Sequence, residues 1–233
     1  MLSSASFAQI KFGAKGGLNF SDTSLGANFK GDIVTQNITV TAGPTGGTSS
    51  SQTTTETIDQ TLYVATSPKV SFYLGGFMEY PINKKGNLAI KAELLYCQNG
   101  ATIDKKTATE DQDIYYTSEG ASYSVGQINV PILLKFTTNK KIAFHAGGYF
   151  GTLLFAKATS SSGLGVDYGT RFKTFDLGLN LGASYPISKK LVIEVRYNRG
   201  LLNLDKFKET SDSITAQGLY YNRTFHVGLE YLF

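Results

Sequence analysis

The only imidazole side chains of the 233-residue chain belong to His145 and His226. Histidine is the side chain that most often serves as a general base or a metal ligand near neutral pH. Neither histidine has Cys, Asp or Glu beside it at the spacing that a metal site needs, and the chain has no Gly-x-Ser-x-Gly motif. We therefore predict no catalytic residue, no metal ligand and no cofactor, and we expect both histidines to make structural hydrogen bonds.

The remaining residues that could form a functional site lack the neighbouring elements or partner residues that such a site requires. Gly163 and Gly165 form a Gly-x-Gly pair in a loop that no helix follows, so they do not predict a dinucleotide site. Cys97 is the only cysteine and cannot form an intrachain disulfide. The net charge of +4 comes from Lys and Arg residues spread along the chain, which argues against nucleic-acid binding.

Strands are the secondary-structure elements that would position any functional site in this chain. No apolar run approaches the roughly 18 residues of a spanning helix, whereas apolar and polar residues alternate with a period of two in long segments. Pro131 interrupts one such segment and predicts a local kink. We count eight such segments, an even number that suits a closed bacterial barrel; they span roughly 10–20, 69–80, 88–99, 122–136, 142–156, 172–185, 191–201 and 219–233.

The connections between these segments alternate between short and long. The short ones, 81–87, 137–141 and 186–190, are Lys-Lys turns that resemble one another. The long ones, rich in Ser, Thr, Gly, Asp and Lys, are 21–68, 100–121, 157–171 and 202–218. This asymmetry is typical of outer-membrane barrels. The sequence predicts an all-β protein, a closed up-and-down antiparallel transmembrane β-barrel of about eight strands, with short periplasmic turns, long extracellular loops and both termini in the periplasm.

The two faces of each strand indicate which side meets lipid. The continuous apolar face ends beside the short turns in aromatic residues, which predicts a periplasmic aromatic girdle of Tyr80, Phe136, Tyr185, Tyr231 and Phe233. The opposite face predicts a barrel-interior charge network of Lys11, Lys15, Glu79, Lys91, Glu93, Lys135, Asp176, Glu194, Arg196 and Glu230. The signs of these charges balance, and eight strands leave an interior just wide enough for side chains, so we expect a side-chain-filled interior. A soluble lipocalin-type barrel with its apolar faces inward is the structural alternative.

The predicted domain is a barrel at 9–233, preceded at 1–8 by a signal-peptide remnant or a disordered tail. Within the long first loop, 21–68, the Ser/Thr/Gly-rich tract 41–57 has low complexity and is expected to be flexible if nothing binds it. Its flanks, 32–40 and 57–66, alternate like strands, so the first hairpin is expected to continue as a ribbon above the membrane.

With the strands placed, the chain resembles the PorT-like outer-membrane β-barrel family of the Bacteroidota. The resemblance spans roughly 10–233 and rests on the order and spacing of FGAKGGLNFS (12–21), QINVPILLKF (127–136), AGGYFG (146–151), FDLGLNLGA (175–183), EVRYNRGL (194–201) and GLEYLF (228–233). It implies an integral outer-membrane protein whose terminal aromatic residue is read by the barrel-assembly machinery. It does not imply a reaction.

We therefore expect a protein that is not an enzyme and that acts as a structural or surface interaction protein through its extracellular loops. A narrow porin-like channel for small solutes is the alternative, and an outer-membrane lipid-modifying enzyme is a more distant one. The expected partners are outer-membrane lipid, the assembly machinery during biogenesis, and a protein or glycan at the loops. Nucleic acid is not among them.

Overall fold

The structure, a computed structural model, describes residues 10–41, 48–64, 66–103, 122–159, 165–167, 169–211 and 213–233. The predicted tail at 1–8 lies outside these residues. No helix in the described part is long and apolar enough to cross a membrane. The strands in it are β1 (Lys11–Ser21), β2 (Ser24–Thr41), β3 (Thr48–Val64), β4 (Thr66–Pro81), β5 (Leu88–Ile103), β6 (Ser122–Thr137), β7 (Ala143–Thr159), β8 (Gly165–Asp167), β9 (Phe175–Pro186), β10 (Leu191–Gly200), β11 (Lys208–Ser211), β12 (Ile214–Tyr221) and β13 (Arg223–Leu232).

Eight of these strands close into an antiparallel barrel, in the order β1, β4, β5, β6, β7, β9, β10 and β13. The ring is closed by β13, which pairs with β1 from Gly13 opposite Leu232 to Ser21 opposite Thr224. Closure leaves no free strand edge around the barrel wall, as a sheet in hydrocarbon requires. The predicted closed antiparallel barrel of about eight strands is confirmed.

The two faces of the wall follow the predicted alternation. On β4, the side chains of Leu74 and Met78 are on the outer surface, whereas Tyr73 and Glu79 are buried inside. Because successive strand residues point to opposite sides, one apolar series becomes the outer surface and its polar counterpart becomes the lumen. The apolar faces therefore point outward, not inward as in a soluble lipocalin-type barrel.

Three tight turns join strands at one end of the barrel, which we call the short-turn end. Each turn is closed by backbone hydrogen bonds, for example from Thr138 N to Ile142 O at 2.8 Å. The backbone is left-handed at Gly86, with φ of 67°, and at Lys141, with φ of 66°. Glycine adopts this conformation without steric cost. The opposite end is the long-loop end.

A second, four-stranded sheet in the order β11, β12, β2 and β3 lies beyond the long-loop end. We call it the rim sheet. Its strands β2, β3 and β12 adjoin the barrel strands β1, β4 and β13 along the chain. The side-chain hydroxyls of Ser21 and Thr23, at its base, donate to the carbonyl of Gly100 at 2.9 and 3.3 Å.

The segment 21–68, predicted as a long loop, instead holds most of this sheet. Strands β2 and β3 pair from Leu25 opposite Val64 to Thr41 opposite Thr48, so the ribbon expected at its flanks extends into the tract predicted to be flexible. The reason is chemical: a Ser/Thr tract has low complexity, but threonine is β-branched and favours strands once a partner strand satisfies the backbone.

The other long connections also contain ordered structure. The predicted final strand at 219–233 is divided at Asn222, so that β12 belongs to the rim sheet and β13 to the barrel. The strand expected to begin at 172 begins at Phe175, because Phe172 instead forms a bridge with Asp205 in the next connection. Part of the predicted loops at 157–171 and 202–218 therefore folds across the long-loop end.

Candidate functional site

Six charged side chains meet in the middle of the lumen and form what we call the ion-pair cluster. Arg196 donates to both carboxylate oxygens of Glu93, each at 2.7 Å. Lys15 Nζ is 2.6 Å from Glu194 Oε1, and all six side chains are almost completely buried. The members are Lys15, Lys91, Glu93, Glu194, Arg196 and Glu230.

The strand pattern explains why these residues meet. Lys91 and Glu93 are two apart on β5, and Glu194 and Arg196 are two apart on β10, so each pair points to the same side of the wall. Lys15 comes from β1 opposite Glu230 of β13. Lys15 Nζ lies 3.1 Å from oxygens of both Glu93 and Glu230, and Lys91 contacts Glu230 as well. Four strands thus supply one contiguous cluster.

The formal charges of the cluster cancel, three positive against three negative. An unpaired charge in a narrow barrel would be costly, whereas paired and hydrogen-bonded charges compensate one another. Oxygens of Glu93, Glu194 and Glu230 lie within 4.8 Å of one another, as metal ligands would. Each of these carboxylates already contacts a lysine or an arginine, so the geometry is that of an ion-pair cluster.

The other four members of the predicted network lie apart from this cluster. Near the short-turn end, Glu79 accepts from Lys135 at 2.7 Å and lies 3.9 Å from the largely exposed Lys11. Asp176 is separate from the other nine residues. It lies toward the long-loop end, where Tyr149 and Asn222 donate hydrogen bonds to it at 2.9 and 2.7 Å. The structure therefore divides the ten predicted residues into three groups.

The two histidines both lie in the lumen. His226 Nε2 is 2.6 Å from Asn198 Nδ2, and its ring packs against Tyr73 with 4.7 Å between centroids. His145 Nε2 is 3.6 Å from Glu194 Oε2, and neither ring nitrogen of His145 has a hydrogen-bond partner within the described part of the chain, so the expected structural hydrogen bond is found for His226 and not for His145. Gly228 makes room for Tyr73, because a Cβ there would lie 2.2 Å from the tyrosine hydroxyl.

The predicted girdle residues are on the outer surface near the short turns. Tyr80, Phe136, Tyr185, Tyr231 and Phe233 are all exposed there. Sequence reasoning missed a second row on the half of the wall nearer the long-loop end, which includes Phe20, Tyr197 and Phe225 in neighbouring strands. The signal was present in the sequence, because these residues belong to the same outward-facing series.

An apolar cap that sequence reasoning did not find lies over the long-loop end of the lumen. Its buried members come from two barrel strands, from β12 and from the connections at 169–174 and 201–207. Leu25 and Leu153 pack against them. The cap consists of Val125, Ala156, Phe172, Leu204 and Tyr220.

Polar contacts fix the cap in place. Arg171 donates to both oxygens of Asp205 at 3.2 and 3.1 Å, which is a bidentate pair. Asp205 also accepts from the backbone N–H of Phe207 at 2.8 Å, and the Arg171 guanidinium lies 5.0 Å from the centre of the Phe207 ring. The two connections are thereby tied together above the lumen.

An open groove of about 560 Å³ lies on the rim sheet, within the size range of ligand sites. Its apolar surface comes mainly from Phe29, Val34, Ile214 and Ala216. The acidic residues Asp32 and Glu209 border it. Asp32 accepts from the hydroxyl of Thr57 at 2.8 Å.

An apolar outer wall, a charge-filled lumen and a closed ring of strands define an integral β-barrel membrane protein. Residues 7–206 match the family described as Outer membrane protein beta-barrel domain. The match spans most of the chain, and the chain belongs to that family. It is therefore an integral outer-membrane protein, as the resemblance implied.

No curated protein matches the chain. Among solved structures, it is similar to Neisserial surface protein A, with 11% identity, coverage of 95% of this chain and 97% of that one, and a TM-score of 0.46. It is also similar to OprG of Pseudomonas aeruginosa, at 11% identity, 97% coverage of each chain and a TM-score of 0.43. It is similar as well to Ail of Yersinia pestis, with 13% identity, coverage of 97% of this chain and 99% of that one, and a TM-score of 0.39.

The ion-pair cluster predicts a specific pattern of stability. Arg196→Met leaves Glu93 without its bidentate partner, and breaking a buried ion pair in this way costs about 3–5 kcal/mol. The double variant Arg196→Met/Glu93→Leu restores the charge balance and should recover most of that loss. Because the chain has no tryptophan, the free energy of unfolding is best measured in urea by the gel shift between folded and unfolded protein.

The matched control is Lys189→Met, in an exposed short turn, which should leave the unfolding midpoint unchanged. A double variant that is as unstable as Arg196→Met alone would show that charge balance is not what stabilises the lumen.

Proposed function

We propose that the protein is a surface interaction protein that binds a partner outside the cell through its rim sheet. The observation that carries the proposal is the groove of the rim sheet, which lies beyond a barrel whose lumen is filled. Residues that bind partners are commonly held on loops or extensions by a rigid scaffold. Here the scaffold is the barrel, and the extension is a sheet that adjoins it along three strands.

The proposal requires an orientation with the long loops outside the cell and the short turns and both termini in the periplasm. Two features support it: the turns at one end are tight, and the connections at the other are long, as in bacterial outer-membrane barrels. We propose further that surrounding lipid and the barrel-assembly machinery are partners of the barrel itself, the latter during biogenesis.

The chemistry of the groove favours a polypeptide partner. Phe29, Ile214 and Ala216 offer an apolar surface, and Asp32 and Glu209 place two carboxylates at its border. Such a site suits an extended segment that carries Lys or Arg between apolar residues, because the segment can bury its apolar side chains and pair its charge. A glycan is the alternative partner.

The proposal assigns the protein no reaction. Both histidines are buried in the lumen, away from the long-loop surface where a lipid or protein substrate would arrive. A lipid-modifying activity would require a nucleophile or carboxylates beside a histidine at that surface, and the described residues place neither histidine there.

Within the outer-membrane barrel family, we propose that the chain is of the PorT-like group of the Bacteroidota. The proposal rests on the ordered phrases from 12–21 to 228–233. In the structure these phrases fall on barrel strands and on their immediate ends.

The orientation predicts which sites a membrane-impermeant maleimide reaches in intact cells. Thr54→Cys in β3 should be labelled, whereas Ser188→Cys in a short turn should be labelled only after the outer membrane is opened. The native Cys97 is buried and should stay unlabelled in the folded protein. Labelling of Ser188→Cys alone in intact cells would reverse the orientation.

The groove predicts a binding preference that peptide display can test. The protein in lipid nanodiscs is used for selection from a random peptide library, with counter-selection on the variant Phe29→Ser/Ile214→Ser. We expect enrichment of segments with Lys or Arg between apolar residues. Their binding should weaken about tenfold or more in Asp32→Asn/Glu209→Gln, since charge-assisted contacts contribute about 1.5–3 kcal/mol.

Glu56→Gln is the control, because Glu56 is an exposed acid of β3 outside the groove lining. A glycan array run on the same nanodiscs tests the alternative partner. Glycan binding that is lost in the groove variants would identify a glycan, and not a polypeptide, as the partner. Selected peptides that bind the groove variants as well as they bind the wild type would contradict the proposal.

The filled lumen predicts the outcome of conductance measurements, which separate this proposal from a narrow channel. In planar bilayers the wild-type protein should give no current steps, because charged side chains occupy the lumen. Phe172→Ala, which weakens the cap, should also give none, since the ion-pair cluster still blocks the path. An open porin in the same bilayers is the positive control. Steps from the wild type that persist after Lys91→Ala or Arg196→Ala would favour the channel.

A further inference from the structure

Two arginines face each other on the outer surface of the barrel near the long-loop end. Arg199 of β10 and Arg223 of β13 are directly opposite each other in the strand register. Both belong to the outward-facing series of their strands, because Tyr197 and Phe225, two residues away, are exposed on the outer wall. The pair is therefore on the wall and not in the lumen.

The position of the pair along the wall is that of a membrane interface. Phe20, Phe225 and Tyr197 form a row across three neighbouring strands. Aromatic residues of this kind mark the headgroup level of a bilayer. Arg199 and Arg223 lie two residues further toward the long-loop end, about 7 Å beyond this row at the usual rise of a strand. Their guanidinium groups thus lie where lipid headgroups are.

The local charges do not balance. Like charges that are directly opposite in a sheet destabilise it. Asp22 lies 3.8 Å from Arg223, with both side chains partly exposed, and Arg199 has no ion pair among the described residues. The arrangement therefore has one excess positive charge.

We propose that Arg199 and Arg223 together bind the phosphate group of a glycolipid headgroup in the outer leaflet. Guanidinium groups bind phosphate oxygens through paired N–H donors, and a phosphomonoester carries about 1.5 to 2 negative charges at neutral pH. One such group would more than offset the single excess positive charge. The acyl chains would lie against the aromatic row below. The proposal rests on the orientation given above, because that orientation places this end of the barrel in the outer leaflet.

The test measures lipid retained by the protein. The full chain is purified in mild detergent, incubated with bis-phosphorylated lipid A, and examined by native mass spectrometry. We expect lipid A to remain bound to the wild type, and retention to fall about tenfold in Arg199→Gln and in Arg223→Gln. Retention should be unchanged in the controls Lys189→Gln, in a short turn, and Lys208→Gln, in β11. The gel shift on heating verifies that each variant is folded.

Two further arms identify the ligand. Dephosphorylated lipid A should not be retained, and millimolar inorganic phosphate should not displace lipid A. Retention of both lipid forms alike, displacement by inorganic phosphate, or equal retention in the arginine variants would each overturn the proposal. The peptides selected on the groove should still bind both arginine variants, so failure of lipid retention and failure of the proposed surface interaction are distinguishable.

Discussion

The pairing of β13 with β1 is the constraint on which the rest of the structure depends. In hydrocarbon, no water satisfies the backbone of an unpaired edge, so the sheet must close. With eight strands, closure leaves a lumen only as wide as side chains can fill. The outward-facing apolar residues of the strands then contact lipid, and the inward-facing polar residues lie in a narrow interior. Lys15, Lys91 and Arg196 can occupy it because Glu93, Glu194 and Glu230 are there with them.

Under the proposed function, the same constraint moves function to the ends of the barrel. Charged side chains occupy the middle of the lumen, and the outer wall faces lipid. At the short-turn end the chain reverses within a few residues. At the long-loop end β1 and β13 adjoin β2 and β12, and the hydroxyls of Ser21 and Thr23 fasten this junction to Gly100. For the proposed surface interaction, a sheet anchored in this way would hold its groove at a fixed position relative to the barrel, and this preorganisation would lower the entropy lost on binding.

Much of this could be predicted from the sequence because a barrel wall imposes a local rule. A period of two assigns every residue to the lumen or to lipid, and so Glu194 and Arg196 could be placed inside without knowledge of their contacts. The rule does not say how far apart inward residues are across the lumen. That distance depends on strand stagger, which is why Asp176 lies among Tyr149 and Asn222 and not beside the ion-pair cluster.

The cap and the rim sheet were harder to predict for a different reason. Phe172 and Leu204 lie in connections without periodicity, and they become core residues only because the bridge between Phe172 and Asp205 brings two connections together. Threonine-rich β3 has a composition that suits a loop as well as a strand. Its pairing with β2 decides between the two, and pairing is not a local property.

Charge balance distinguishes the two arginine sites of the wall. Arg196 is on the lumen side and contacts Glu93 and Glu194, which compensate its charge inside the closed barrel. Arg199, three residues further along the same strand, is on the outer side and has no carboxylate partner among the described residues. There, under the proposed lipid binding, a headgroup phosphate supplies the anion. Arg196 thus differs from Arg199 in the source of its counter-charge. The chain itself supplies carboxylates for Arg196 inside the barrel, whereas the proposed partner of Arg199 comes from the surrounding lipid.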